Sequence, residues 1–252
     1  MKKQLILVAI MLFAASCKKN ADQPLIAGSY PSLNLAGSNE TSPGNSLNPY
    51  DSTGYWHNRI LVYLNGRLGS ADHSTANICN AIARFPDAAI SPAVIQQLPG
   101  SITQDTLDVK DGFQKRIAVS PYGLLTKKYL QALMDTVGGM QTQDYPALKF
   151  KITTLEDHVV NDNLLVPDER KVILQATAIA RYSAYYWTFN YTPPIPAASF
   201  KRIIWWIATI TTDAASGIGR AAGGGSITDA AAGAAGDSRA IGTLIDDSIP
   251  GY

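Results

Sequence analysis

The segment Pro167 to Phe189 constrains the fold more than any other part of the chain. It opens with Pro167-Asp168-Glu169, where proline gives up no needed hydrogen bond at the first helical position and two carboxylates face the positive end of the helix dipole. Ile173, Ala176, Ala180, Ser183 and Trp187 mark one side of that helix, and Val172, Ile179 and Tyr186 widen it. A helix that is apolar over much of its circumference is expected at the centre, with other elements packed around it.

Those elements also read as helices. Asn48-Pro49-Tyr50-Asp51-Ser52 supplies a cap for a helix to about Asn65, striped by His57, Leu61, Leu64 and Leu68 and broadened by Trp56, Ile60 and Tyr63. A second is expected from Ala71 to Arg84, stopped by Pro86, and a short one from Ala93 to Leu98. Residues 101–119 fit neither period cleanly and lean to helix. Ser120-Pro121 reads as a helix start, with Leu125, Tyr129, Leu133 and Val137 as its stripe and Gly138-Gly139 as its end. Another helix spans about Tyr145 to Val160, and after Pro193-Pro194-Ile195-Pro196 a further one restarts at Ile203. No sustained alternation and no Asn-Gly hairpin signal occurs, so the expected fold is all-α, an irregular helical bundle.

The chain begins Met1-Lys2-Lys3, followed by thirteen mostly apolar residues to Ser16 and then Cys17. That run is short of the roughly 20 residues a spanning helix needs, and small residues follow it as cleavage requires. Ala14-Ala15-Ser16-Cys17 resembles the lipobox of bacterial lipoproteins, although Ala14 stands where leucine is usual. The resemblance implies that residues 1–16 are removed and that Cys17 carries the lipid. Lys18, where an inner-membrane protein of that family has aspartate, implies sorting to the outer membrane. Residues 17–48 are rich in Ser, Asn, Gly and Pro without apolar period, and read as a disordered tether with a mean span of about 30 Å. The helical domain is then 49–212, and 213–252 is a Gly/Ala-rich segment packed on it.

Loss of Lys2 and Lys3 with the signal reduces the 21 basic side chains to 19, against 20 acidic ones. A near-neutral domain with scattered Lys and Arg lacks the basic face that nucleic acid demands, so the partner expected from sequence is the membrane, reached through lipid. Assigning Cys17 to the anchor leaves one cysteine for the domain, Cys79, so no intrachain disulfide is available; Cys79 reads as a small buried side chain.

Chemical motifs are sparse. The chain has no His-Glu-x-x-His, no Cys-x-x-Cys and no phosphate-binding Gly-Lys pair, and no metal or cofactor is expected. His57 and Asn58 either sit in the core or line a polar pocket, and an envelope hydrolase would have to draw on His57, Asn58, His73, His158 and Asp162. Tyr182, Tyr185, Tyr186, Trp187 and Phe189, with Trp205 and Trp206 beyond the prolines, concentrate aromatic surface. Core packing explains them, and so does a stacking platform for a glycan or peptide in which Tyr185, Trp187 and Trp205 carry the ligand.

In the tail, Gly219-Arg220-Ala221-Ala222-Gly223 matches a small-residue contact motif, and a bacteriocin-like, membrane-active segment is the rival reading. Asp213, Arg220, Asp229, Asp237 and Arg239 leave only short neutral stretches, so the tail is expected as a peripheral helical hairpin whose charges reach water.

The lipobox, Asn48-Pro49-Tyr50-Asp51-Ser52-x-Gly54-x-x-His57-Asn58, Ile179-Ala180-Arg181-Tyr182-Ser183-Ala184-Tyr185-Tyr186-Trp187 and the glycine-rich end together resemble a group of uncharacterised bacterial lipoproteins. That resemblance implies no activity and transfers no functional residue beyond Cys17. The expected function is a lipid-anchored envelope protein acting as a non-catalytic binding or interaction module.

Overall fold

The computed structural model describes residues 42–68, 74–87, 90–99, 117–118, 120–190, 200–222 and 226–248. They hold seven principal helices: α1 (Ser52–Leu68), α2 (Thr75–Ile82), α3 (Leu124–Gly138), α4 (Tyr145–Asn161), α5 (Pro167–Phe189), α6 (Phe200–Ala222) and α7 (Ile227–Ser248). A short helix at 92–99 joins them, and among the described residues there is no strand. Cys17, His73 and most of 101–119 lie outside the described residues.

Helices α1, α5, α6 and α7 form a four-helix bundle. Each packs along its two neighbours in the cyclic order α1, α5, α6, α7, while α4 and α3 cover the outer side of α5 and α2 covers α1 and α7. The central position of α5 follows from its composition: from Val172 to Trp187 every residue is buried, on all sides of the helix.

Two close approaches fix the bundle. A Cβ on Gly54 would lie 2.5 Å from the Ala178 carbonyl oxygen and collide with Cδ2 of the Tyr182 ring, so glycine alone lets α1 reach α5. Gly217 on α6 gives room to the end of the Ile179 side chain in the same way.

The C-terminal segment is not peripheral. Asp213 lies within α6, and α7 is a full member of the bundle, with residues 229–240 all buried. Alanine and glycine make α7 thin enough to be enclosed, and the charges of Asp229, Asp237 and Arg239 find partners inside the protein instead of water. Asp229 accepts from the Ser226 and Ser91 amides at 3.1 and 2.9 Å, Ser216 donates to Asp237, and Arg239 Nη1 donates to Asn65 Oδ1 at 2.7 Å. Among the described residues no helix is long and apolar enough to cross a membrane.

The start of α3 also departs from expectation. Its first helical residue is Leu124, and the cap is remote: Glu169 of α5 accepts from the Gly123 amide at 2.8 Å and from Thr126 Oγ1 at 2.7 Å. A carboxylate from another helix satisfies the amide that Ser120 was expected to cap.

Candidate functional site: two buried polar hubs

His57 and Asn58, together with polar side chains from the other helices, build two hubs, one on each side of α5. In the first, Asp213 of α6 stands inside the bundle and a single oxygen, Oδ2, meets side chains from all three other helices. Ser183 of α5 and Ser238 of α7 donate hydroxyls to it, at 2.5 and 2.9 Å. The Trp187 indole Nε1 approaches to 3.5 Å. His57 of α1 places Nε2 at 3.4 Å, an ion-pair separation without hydrogen-bond alignment. Asp213, His57, Ser183 and Ser238 are wholly buried.

The second hub fastens the N-terminal segment to the core. Arg181 Nη2 donates to Asp51 Oδ1 at 2.6 Å and to Glu156 Oε1 at 3.0 Å. Asn45 Nδ2 donates to Glu156 Oε2 at 2.6 Å, and Asn48 Nδ2 to Glu156 Oε1 at 2.7 Å and to the Leu174 carbonyl at 2.9 Å. Tyr182 donates its hydroxyl to Asp51 Oδ2 at 2.9 Å. Burial disfavours the Arg181 charge, but Glu156 and Asp51 outweigh it and hold the guanidinium above its ordinary pKa. Burial, reinforced by the Asp51 carboxylate, pushes the Tyr182 hydroxyl well up. The two hubs are linked, because Asn58 Nδ2 donates to the Tyr182 carbonyl at 2.9 Å while Asn58 Oδ1 lies 2.9 Å from His57 Nδ1.

This arrangement differs from a nucleophilic triad, in which the imidazole stands between serine and carboxylate. Here the carboxylate is the hub, Ser183 and Ser238 give their hydroxyls to it, and the group is sealed from solvent. His57 and Asn58 therefore lie buried in the core. His158 is exposed on α4, apart from His57, and His73 lies outside the described residues. Asp162 closes the loop after α4: the Leu164 amide and the Tyr129 hydroxyl, at 2.9 and 2.8 Å, hold its carboxyl below the usual range. Among the described residues no group of three or more His, Cys, Asp or Glu side chains could hold a metal ion.

The aromatic platform does not form as expected. Tyr185 and Trp187 are buried, because α5 is enclosed on every side. Tyr145, Tyr185 and Phe189 pack against one another with centroids 5.0 to 5.5 Å apart, and only Phe189 is exposed. The Trp205 side chain lies outside the described residues; Trp206 is wholly buried.

Sequence reasoning missed Asn45, Glu156, Ser238 and the ligation of Asp213. The available signal was the run Asn48-Pro49-Tyr50-Asp51-Ser52-x-Gly54-x-x-His57-Asn58, of which Asn48, Asp51, His57 and Asn58 join a hub. Compared with protein-family models, curated proteins and solved structures, the chain matches none.

Proposed function

We infer that this chain is a lipid-anchored protein of the bacterial envelope, attached through Cys17, whose helical domain is a non-catalytic module for binding a glycan or peptide partner. The observation that carries this reading is the clasp at residues 45–51. The end of the expected tether and the start of the helical domain are held by Asn45, Asn48 and Asp51 against Glu156 and Arg181 in the core, a junction suited to a domain held at a surface by its N-terminal end. The polar side chains turned inward bind helix to helix, which supports a scaffold that presents its outer surface. That surface carries bare apolar side chains, including Phe150 at 72% and Leu164 at 83% exposure. Lys18 after the lipobox cysteine supports an outer-membrane address.

Cys17→Ser tests the anchor. The wild-type chain is expected in the detergent phase with the mass of attached acyl groups, and the variant in the aqueous phase without it; acyl mass retained by the variant overturns the assignment. Titrating the full chain with a panel of oligosaccharides and peptides, read by tryptophan fluorescence, tests the module. Turnover of any panel member would replace the binding reading with the hydrolase alternative.

A further inference from the structure

Among the large apolar side chains exposed in the described residues, Leu124 at 80%, Leu164 at 83% and Val166 at 55% lie at one end of the domain. There α3 and α5 begin and α4 stops. The Glu169 carboxylate, on the first turn of α5 after Val166, accepts from the Gly123 amide just before Leu124, and Tyr129 of α3 donates to Asp162, two residues before Leu164.

These side chains are held outward by a finished framework. The Leu164 amide donates to Asp162 Oδ1 at 2.9 Å and the Leu165 amide to the Asp162 carbonyl at 3.3 Å, while Arg170 Nη2 donates to the carbonyls of Asp162 and Leu165 at 2.6 and 3.3 Å. Leu165 is buried, and its neighbours Leu164 and Val166 face out. The same hydrogen bonds engage the carboxylates of Asp162 and Glu169, so this end is poor in outward charge. Pro121, Asn163 and Pro167 are exposed beside the apolar side chains, and Asp168 and Lys128 bring one charge of each sign. A preformed apolar tip of this kind binds without an ordering cost.

We propose that this end docks on the bilayer that holds Cys17, with Leu124, Leu164 and Val166 entering the boundary between headgroups and acyl chains. The proposal rests on the lipid anchor, which keeps a bilayer always within reach of the domain. Lys149 Nζ donates to the Ser42 carbonyl and so fixes where the described chain starts on α4. Along that helix Lys149 stands about 18 Å from Asn161, at the docking end. The 24 residues 18–41 can extend to as much as about 80 Å, so the tip reaches the membrane without stretching the chain. Three apolar side chains bind a membrane weakly by themselves, but a lipid on the same chain makes their encounter with it intramolecular. Docked by this end, the 23 residues of α5 carry Phe189 about 35 Å away from the docking end, toward a partner.

The experiment uses the full lipidated chain in vesicles of phosphatidylethanolamine and phosphatidylglycerol that carry nitroxide-labelled lipid. In a Cys79→Ala background, Asn163→Cys places an environment-sensitive fluorophore at the docking end, and Asn80→Cys places one on α2, which covers α1 and α7. Acyl mass on Cys17 and flotation with the vesicles report the anchor, while the fluorophores report docking, so the two readings fail separately. A blue shift and quenching are expected at 163 and neither at 80. Leu124→Glu combined with Leu164→Glu should weaken docking roughly tenfold or more while flotation persists. If that variant does not fold, the contrast between 163 and 80 decides alone. A chain that floats with 163 unquenched overturns the proposal, and so does equal quenching at both positions. A blue shift at 163 already present without vesicles, as a second copy or residues 101–116 covering this end would give, overturns it as well.

Discussion

Glu156 Oε1 lies 3.0 Å from Arg181 Nη2, and both side chains are wholly buried. A pair of this kind contributes little relative to an apolar pair of the same shape, but breaking it from one side strands a charge. Arg181→Met would leave the Glu156 and Asp51 carboxylates without their cation, with an expected loss of about 3–5 kcal/mol. Glu156→Gln leaves Asp51 on Arg181, and its loss should be nearer 1–3 kcal/mol. Urea denaturation of both variants checks this; equal losses would mean that Asp51 does not share the charge.

The clasp makes the limits of the folded domain testable. Order begins before Asn48, where the tether was expected to end, because Asn45 and Asn48 donate to the buried Glu156 carboxylate. Hydrogen bonds to a charged group contribute about 1.5–3 kcal/mol each. A chain beginning at Ser42 should melt close to the full-length protein, and one beginning at Asp51 roughly 10 °C lower or more, at about 2–4 °C per kcal/mol. Thermal melts followed by circular dichroism separate the two; coincident melts would remove the clasp from the stability of the domain.

Gly54 and Gly217 separate backbone crowding from side-chain crowding. A Cβ at position 54 meets the Ala178 carbonyl, which is held in the α5 backbone and cannot yield. Overpacking at Gly54→Ala should therefore cost about 1–3 kcal/mol, offset by the roughly 1 kcal/mol that alanine gains in a helix, for a net loss of up to about 2 kcal/mol. At position 217 the obstacle is Ile179 Cδ1, the far end of a side chain. Gly217→Ala should be the milder change in the same denaturation assay, and the reverse order would show that α1 and α5 can separate locally without penalty.

Local rules made the helices legible. Pro167 with Asp168 and Glu169 located α5 residue for residue, and the double glycine after Val137 located the end of α3. The stripe of His57, Leu61 and Leu64 faces the core as its spacing implies. What stayed hidden depends on residues far apart in the chain. Glu169 capping α3, Asn45 reaching Glu156, and His57 with Ser238 meeting at Asp213 leave no periodicity, because each pairing joins segments far apart in the chain. Composition also misled for α7, where alanine, glycine and regularly spaced charges look like a surface helix. The same small side chains let neighbours close over the charges and supply their partners.

Buried tyrosines give the last prediction, at the alkaline end. Burial, with the Glu169 carboxylate adding to it, pushes the Tyr122 hydroxyl up to about 12, and burial raises Tyr145 and Tyr182 further. A hydroxyl titrating higher in the folded than in the unfolded state keeps its proton in the fold while the unfolded chain loses it. The contribution of these hydroxyls to stability is then fully present below about pH 10, the ordinary tyrosine value, and falls as pH rises toward 12. The urea midpoint of the wild type, followed by helical circular dichroism, should fall over that range. Tyr122→Phe keeps the ring and removes one such proton, so its urea midpoint should fall less steeply from pH 10 to 12 than that of the wild type. A wild-type midpoint constant across that window would show that Tyr122, Tyr145 and Tyr182 reach water without unfolding.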